Sequence, residues 1–105
     1  MRSLMFKVNG QKITKDPECN FEGLVAGTKG YLKAVFTFSE EWDDCILVAS
    51  FRRGIHEHAA LIKNNECEIP PEVLNTTAFS VAVIGKRGDY QITTNKVFVR
   101  QEANR

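Results

Sequence analysis

Few residues of this sequence could carry chemistry, and they do not form a constellation. His56 and His58, two positions apart, would lie on one side of a strand and could share a metal ion, but a stable site needs further ligands. Ser39, Ser50 and Ser80 lack the sharp strand-to-helix setting of a serine nucleophile. The sequence therefore predicts no catalytic, cofactor or metal site and favours a non-enzymatic protein.

The three cysteines also argue against a metal or redox centre. Cys19, Cys45 and Cys67 are far apart, form no C-x-x-C pair and are odd in number. This pattern predicts buried or half-buried free thiols and no disulfide framework.

A cluster of acidic residues surrounds the single tryptophan in residues 40–44, which we call the acidic corner. Its carboxylates lack the alternating spacing of a calcium loop, so a solvated turn or a partner contact is the better interpretation. We interpret the large apolar Trp42 as a lid over the end of a core. The predicted partner-binding residues are Glu40, Glu41, Trp42, Asp43, Asp44 and Leu47.

Two apolar segments flank the acidic corner and must position it. Residues 31–38 alternate with a period of two, which predicts a strand with one apolar face. Residues 46–51 are apolar at nearly every position, which predicts a strand covered on both sides or one that meets a partner. If Tyr31, Val35, Leu47 and Phe98 point outward, they form an apolar surface that favours self-association.

The remaining pattern is that of a β protein. Asn9-Gly10 predicts a hairpin, residues 52–58 an exposed loop, and residues 70–75 one short helical turn. Seven to nine short strands with regular turn signals predict an all-β fold, an immunoglobulin-like two-sheet antiparallel sandwich. A small closed barrel is the alternative.

The length and hydrophobic content of the chain predict the number of domains, and its net charge argues against some classes of partner. The chain has 105 residues, 43% of them hydrophobic, which predicts one domain over 1–105 with a flexible polar tail at about 101–105. A net charge of +1 argues against nucleic acid as the main partner. The sequence shows no signal-peptide core and no membrane-spanning segment, so we expect synthesis in the cytoplasm and no membrane contact.

Three segments together resemble a known group of proteins. They are F-T-F-S-E-E-W-D-D at 36–44, C-E-I-P-P-E-V-L at 67–74 and I-T-T-N-K-V-F-V-R at 92–100. Over about residues 6–101 the chain resembles small immunoglobulin-like β-sandwich virion proteins of tailed phages that infect Gram-positive bacteria. The resemblance implies a structural or attachment module of a tail, baseplate, head fibre or capsid decoration, with other virion proteins as partners. It implies no catalytic residue, and it makes the Trp42 corner a shared feature.

Two other functions fit the same residues. One is a small phage-encoded inhibitor that binds a host protein through a sheet edge or the acidic corner. The other is a carbohydrate-binding module for the cell wall, in which Trp42, Tyr31 or Tyr90 would stack on a sugar ring.

Overall fold

The chain folds into two β-sheets packed face to face, as described by a computed structural model over residues 1–104. Arg105, the last residue of the predicted tail, lies outside the described residues. The strands are β1 (Arg2–Asn9), β2 (Lys12–Lys15), β3 (Leu32–Phe38), β4 (Ile46–Arg53), β5 (His56–Ile62), β6 (Glu66–Glu68), β7 (Ala78–Arg87), β8 (Tyr90–Thr93) and β9 (Val97–Arg100). Short 3-10 turns span Glu40–Trp42 and Pro71–Val73, the second at the predicted place. The predicted two-sheet sandwich is confirmed.

The first sheet has the strand order β2-β1-β3-β6, and the second has β5-β4-β7-β8 with β9 also paired to β7. One pairing departs from the antiparallel prediction: β1 and β3 run parallel, in register from Arg2 opposite Leu32 to Val8 opposite Phe38. Apolar and polar residues alternate along a strand in the same way whether its neighbour runs parallel or antiparallel. The sequence pattern therefore could not show that β1 and β3 are parallel.

The core lies between the sheets and is rich in phenylalanine. Phe6, Phe36, Phe51 and Phe79 are the largest fully buried side chains among the described residues. Neighbouring rings make a chain of contacts in the first sheet, with centroids 5.6 Å apart for Phe6 and Phe36 and 5.8 Å for Phe36 and Phe38. The alternating apolar residues of β1 and β3 thus form one continuous inner face.

Two local predictions were wrong in instructive ways. The predicted loop over residues 52–58 is a tight turn at Gly54 and Ile55, and His56 to His58 already belong to β5. The polar residues there are compatible with a strand because β5 lies at the edge of its sheet.

The predicted polar tail begins with two residues that are bonded to the domain. Gln101 is only 7% exposed, and its backbone N–H donates to the Thr77 carbonyl. Its side-chain amide donates to the carbonyls of Leu74 and Thr76. Glu102 forms a bridge with Val25. The chain is therefore held to the sandwich through residue 102.

Candidate protein-contact surfaces

Trp42 closes one end of the sandwich, as its size and apolar character predicted. It is 2% exposed, and its ring centroid lies 5.5 Å from that of Phe38. Its indole N–H donates to the Gly10 carbonyl at 2.8 Å, which ties the lid to the β1–β2 hairpin. The single polar atom of the ring is therefore satisfied in a buried position.

The lid fits over a strand position that has no side chain. A Cβ atom built on Gly85 in β7 would lie 2.7 Å from Cε3 of Trp42 and 3.3 Å from Cβ of Cys45. Real Cβ atoms essentially never lie within 3.0 Å of another heavy atom, so the indole occupies space that only glycine leaves free. Gly85 is a determinant of the corner that the sequence analysis did not single out.

Two side chains from the β7–β8 hairpin hold the backbone of the acidic corner. The Tyr90 hydroxyl donates to the Glu41 carbonyl at 2.9 Å, and the Arg87 guanidinium donates to the Asp43 carbonyl. Arg87 also lies over the Tyr90 ring, 4.6 Å from its centroid, in a cation–π contact. The corner is therefore bonded to both sheets.

Ser39 connects the corner to the first hairpin. Its hydroxyl accepts a hydrogen bond from the Gly10 N–H at 2.8 Å, and its backbone N–H donates to the Val8 carbonyl at 3.0 Å. The pKa of the exposed Glu41 carboxyl lies below its ordinary value. The main cause is a hydrogen bond from the Ser39 side chain, and the second is a hydrogen bond from the backbone of Glu41 itself.

The acidic side chains of the corner point into solvent while its backbone is fixed. Glu40, Glu41, Asp43 and Asp44 are all exposed. Asp44 has a φ of 63°, a left-handed conformation in which aspartate is tolerated. Among the residues that the structure describes, no group of three or more His, Cys, Asp or Glu side chains is placed to hold a metal ion.

Leu47, the sixth predicted contact residue, points the other way. It pairs with Ile62 and Gly85 and packs against the core, so its predicted outward orientation was wrong. Because residues 46–51 are apolar throughout, alternation could not fix which of them face inward. Ala49 and Phe51 are buried, so the odd-numbered residues of β4, including Leu47, face the core.

The opposite phase of β4 contributes to an apolar surface on the outside of the second sheet. Val48 lies between Leu61 of β5 and Ile84 of β7. Ile46 is 67% exposed, Leu61 51% and Phe98 61%. We call this surface the outer apolar face; its members are Ile46, Val48, Ala59, Leu61, Ala82, Ile84 and Phe98.

A single acidic group on this face is already paired. Ser50 is 6% exposed although it belongs to the outward phase of β4, and its hydroxyl donates to the Glu57 carboxylate. Arg52 lies 3.5 Å from the other oxygen of the same carboxylate. The charge of Glu57 is thus matched within its own sheet.

The outer face of the first sheet is more polar. Lys7 lies between Thr14 and Thr37, and Lys33 forms an ion pair with Glu66 at 3.0 Å. Val35 is on this face and Tyr31 lies just before β3, whereas Phe98 lies on the second sheet. The predicted apolar surface of Tyr31, Val35, Leu47 and Phe98 is therefore not one surface.

The aromatic residues suggested for sugar stacking do not form a platform. Trp42 is buried, and one side of the Tyr90 ring is in contact with Arg87. Tyr31 is 49% exposed but is separated from Tyr90, which lies in the other sheet.

The three cysteines are free and half-buried, as predicted. Burial, and then the neighbouring charge of Glu66, raise the pKa of the Cys67 thiol to about 12. A thiol in this state is a poor nucleophile.

We compared the chain with protein families, curated proteins and solved structures. No family model, curated protein or solved structure matches the chain. Within residues 1–104, no helix has the length and apolar character needed to cross a membrane.

Proposed function

We propose that the chain is a non-enzymatic structural or attachment module of a phage virion and acts through protein–protein contacts. The observation that carries the proposal is the presence of two presented surfaces on one block: the acidic corner and the outer apolar face. The resemblance in residues 36–44, 67–74 and 92–100 supports the virion as the place of action. We expect synthesis in the host cytoplasm, followed by assembly with other virion proteins.

The geometry of the acidic corner supports a contact role. Its backbone is bonded to the β1–β2 hairpin through Trp42 and to the β7–β8 hairpin through Arg87 and Tyr90. A surface held in this way loses little conformational entropy when a partner binds. Its exposed carboxylates are complementary to a partner with a basic surface.

The outer apolar face supports the same conclusion independently. Large contiguous apolar patches on soluble proteins mark interaction sites. Here the apolar residues lie on the outer face of the second sheet, bordered by Arg52, Glu57 and Lys86, while the outer face of the first sheet carries Lys7, Lys33 and Glu66. Such asymmetry is typical of a module that is covered on one side in an assembly.

Mass spectrometry of purified virions of the encoding phage tests the proposal. We expect the protein in a stoichiometric multiple of the major structural proteins, retained after a density gradient and a high-salt wash. Absence from intact particles, with abundant protein in the infected cell, would exclude a virion role.

The exposed corner also favours a second candidate, a phage-encoded inhibitor that binds a host protein. Pull-downs from host lysate should compare the wild-type chain with E40Q/E41Q/D43N/D44N. A host protein that is recovered only by the wild type would support this function. Equal recovery by both chains would exclude the corner as the binding surface.

A further inference from the structure

We propose that the outer edge of β5 binds an extended segment of a partner protein, which adds to the second sheet as a further strand. The inference rests on the proposed function and names the kind of partner that one part of the surface takes. It depends on which backbone groups of the sheet have no hydrogen-bond partner within residues 1–104.

The hairpin between β4 and β5 shows which backbone groups of β5 point away from its sheet. The loop has two residues, 54 and 55, so the closing pair of Arg53 and His56 exchanges both backbone hydrogen bonds. Successive residues of a strand direct these groups to opposite sides, so the even-numbered residues of β5 bond to β4. The N–H and C=O groups of Glu57, Ala59 and Leu61 therefore point to the outer edge.

A contact at the end of β5 supports this assignment. Lys63 is the next odd-numbered residue, and it exchanges backbone hydrogen bonds with Glu66 at 3.0 and 3.1 Å. Because Glu66 belongs to β6, the odd-numbered residues of this segment face away from β4. Glu66 covers the edge only at Lys63, since β6 then pairs with β3. In the part of the chain that the structure describes, the three outward residues of β5 thus keep their backbone donors and acceptors unpaired.

The other edges of the two sheets are shorter and partly covered. On β2, the Ile13 N–H donates to the Asn95 side chain at 2.8 Å, and on β8 the Thr93 carbonyl accepts from the Gln11 side chain at 3.3 Å. β6 has three residues and β9 has four, whereas β5 has seven. β5 also contains no proline, lysine or bulge, the usual devices that prevent an edge from pairing with another chain.

The side chains along this edge indicate which segment fits. Residues opposite Ala59 and Leu61 would extend the outer apolar face, and a residue opposite Glu57 would lie beside an exposed carboxylate. Residues of the other phase would lie beside Ala60, which packs against the core. The segment is therefore extended and free of proline, apolar at its centre, and basic or otherwise polar where it passes Glu57.

A second copy of β5 fits this edge less well. The antiparallel register that uses all three outward residues of both copies places Ala59 opposite Ala59 of the second copy. Glu57 of each copy then lies opposite Leu61 of the other, so a carboxylate faces a large apolar side chain twice. A segment of different sequence avoids this mismatch.

Hydrogen exchange of the wild-type chain, followed by mass spectrometry at single-residue resolution, tests strand addition without any substitution. In the isolated chain the amides of Glu57, Ala59 and Leu61 should exchange freely, whereas those of His58 and Ala60 are protected by β4. In purified virions of the encoding phage, exchange of the three outward amides should slow at least tenfold. Unchanged exchange in the particle would overturn the proposal. Protection that grows with the concentration of the isolated chain would also overturn it, because the occupant would then be a second copy.

Ala59→Pro tests whether backbone pairing causes the protection. Proline removes the outward N–H and places its ring at the edge, but it removes no hydrogen bond to β4. The number of copies per virion should fall at least tenfold. The matched control is Gln91→Pro, an exposed residue whose N–H points outward from β8 at the opposite edge of the sheet. It should be incorporated like the wild type.

Normal incorporation of Ala59→Pro would contradict strand addition, as would equal loss of both proline variants. Thermal unfolding checks that both variants fold, and the exchange measurement on the wild type decides the question if Ala59→Pro does not. Mass spectrometry of virions measures the proposed function separately. If the chain is absent from particles, the same exchange measurement is made on the complex that a tagged chain forms in infected cells, so the two failures are distinguishable.

Discussion

Trp42 and Gly85 fit together as a lid and its seat: the six-membered ring of the indole occupies the position where a side chain on β7 would begin. A Cβ on Gly85 would meet two ring carbons at 2.7 and 2.9 Å. Gly85 pairs with Leu47 on one side and Ile92 on the other, so β7 is paired on both edges there and cannot shift easily. The indole and the strand therefore constrain each other.

Gly85→Ala should destabilise the domain by about 1–3 kcal/mol, the usual cost of overpacking a filled core. The cause is steric, since Gly85 does not have a positive φ. Urea unfolding measures the change. In a Trp42→Phe background the same alanine should cost clearly less, because the smaller ring leaves room. Equal costs in both backgrounds would show that the two positions are not coupled.

Trp42→Ala should lower the free energy of unfolding by about 3–5 kcal/mol, the range for deletion of a large aromatic side chain from a core. It also leaves the Gly10 carbonyl without its donor. Tyr31→Ala removes a half-exposed ring and is the control; it should cost less than about 1 kcal/mol. Thermal unfolding followed by circular dichroism compares the midpoint temperatures of the two variants. Similar midpoints for both variants would contradict the role of Trp42 as a lid.

Neutralising the acidic corner with E40Q/E41Q/D43N/D44N should change stability by less than about 0.5 kcal/mol, because the four side chains are exposed. The bonds from Tyr90 and Arg87 go to backbone carbonyls, which the substitutions retain. Incorporation into virions should nevertheless fall if the corner contacts a basic partner. A matched control is E18Q/E22Q, two exposed acids outside the corner. Unchanged incorporation of the corner variant would remove the corner from the contact surface.

Cys67 should make stability fall in alkali. Its thiol has a pKa of about 12 in the folded chain, against an ordinary value of 9.0 that applies once the chain unfolds. Between these values the unfolded state loses the proton first, so the contribution is fully present below pH 9 and declines toward pH 12. Urea midpoints across this range should fall more steeply for the wild type than for Cys67→Ala. Parallel curves would contradict the raised pKa.

Gln101→Ala should cost about 1 kcal/mol, because it removes the hydrogen bonds from the side-chain amide to the carbonyls of Leu74 and Thr76. The Leu74 carbonyl keeps the Gly27 N–H as a donor, so only the Thr76 carbonyl loses its partner. Deletion of residues 103–105 should have little effect by comparison. Differential scanning calorimetry of the two variants distinguishes an anchored residue 101 from a free tail. Equal loss in both would place the anchoring contacts beyond Gln101.

The sequence predicted those features that depend on alternation and turn chemistry. The period of two in residues 31–38 indicated β3 and its inner face, and the size of Trp42 indicated a buried lid. Asn9-Gly10 indicated the first hairpin. Each of these is a local property, because it depends on the spacing of neighbouring residues or on one side chain.

Features that depend on distant partners were not predictable in this way. The parallel pairing of β1 with β3 joins segments about thirty residues apart, and a local pattern carries no information about it. The phase of β4 was ambiguous because its residues are apolar on both faces, which led to the wrong orientation for Leu47. The fit between Gly85 and Trp42 depends on where the acidic corner folds back, so only the tertiary structure reveals it.

The two chain ends are anchored to the same short stretch of backbone. The Arg2 guanidinium donates to the carbonyls of Asn20 and Glu22, and the Glu102 N–H donates to the carbonyl of Leu24. Gly10 and the acidic corner lie at the far end of β1, about 25 Å away at the usual rise per residue. A polypeptide joined at either end would therefore attach at the end of the sandwich that holds residues 20–24. The opposite end, where Trp42 covers the core, would point away from the attachment.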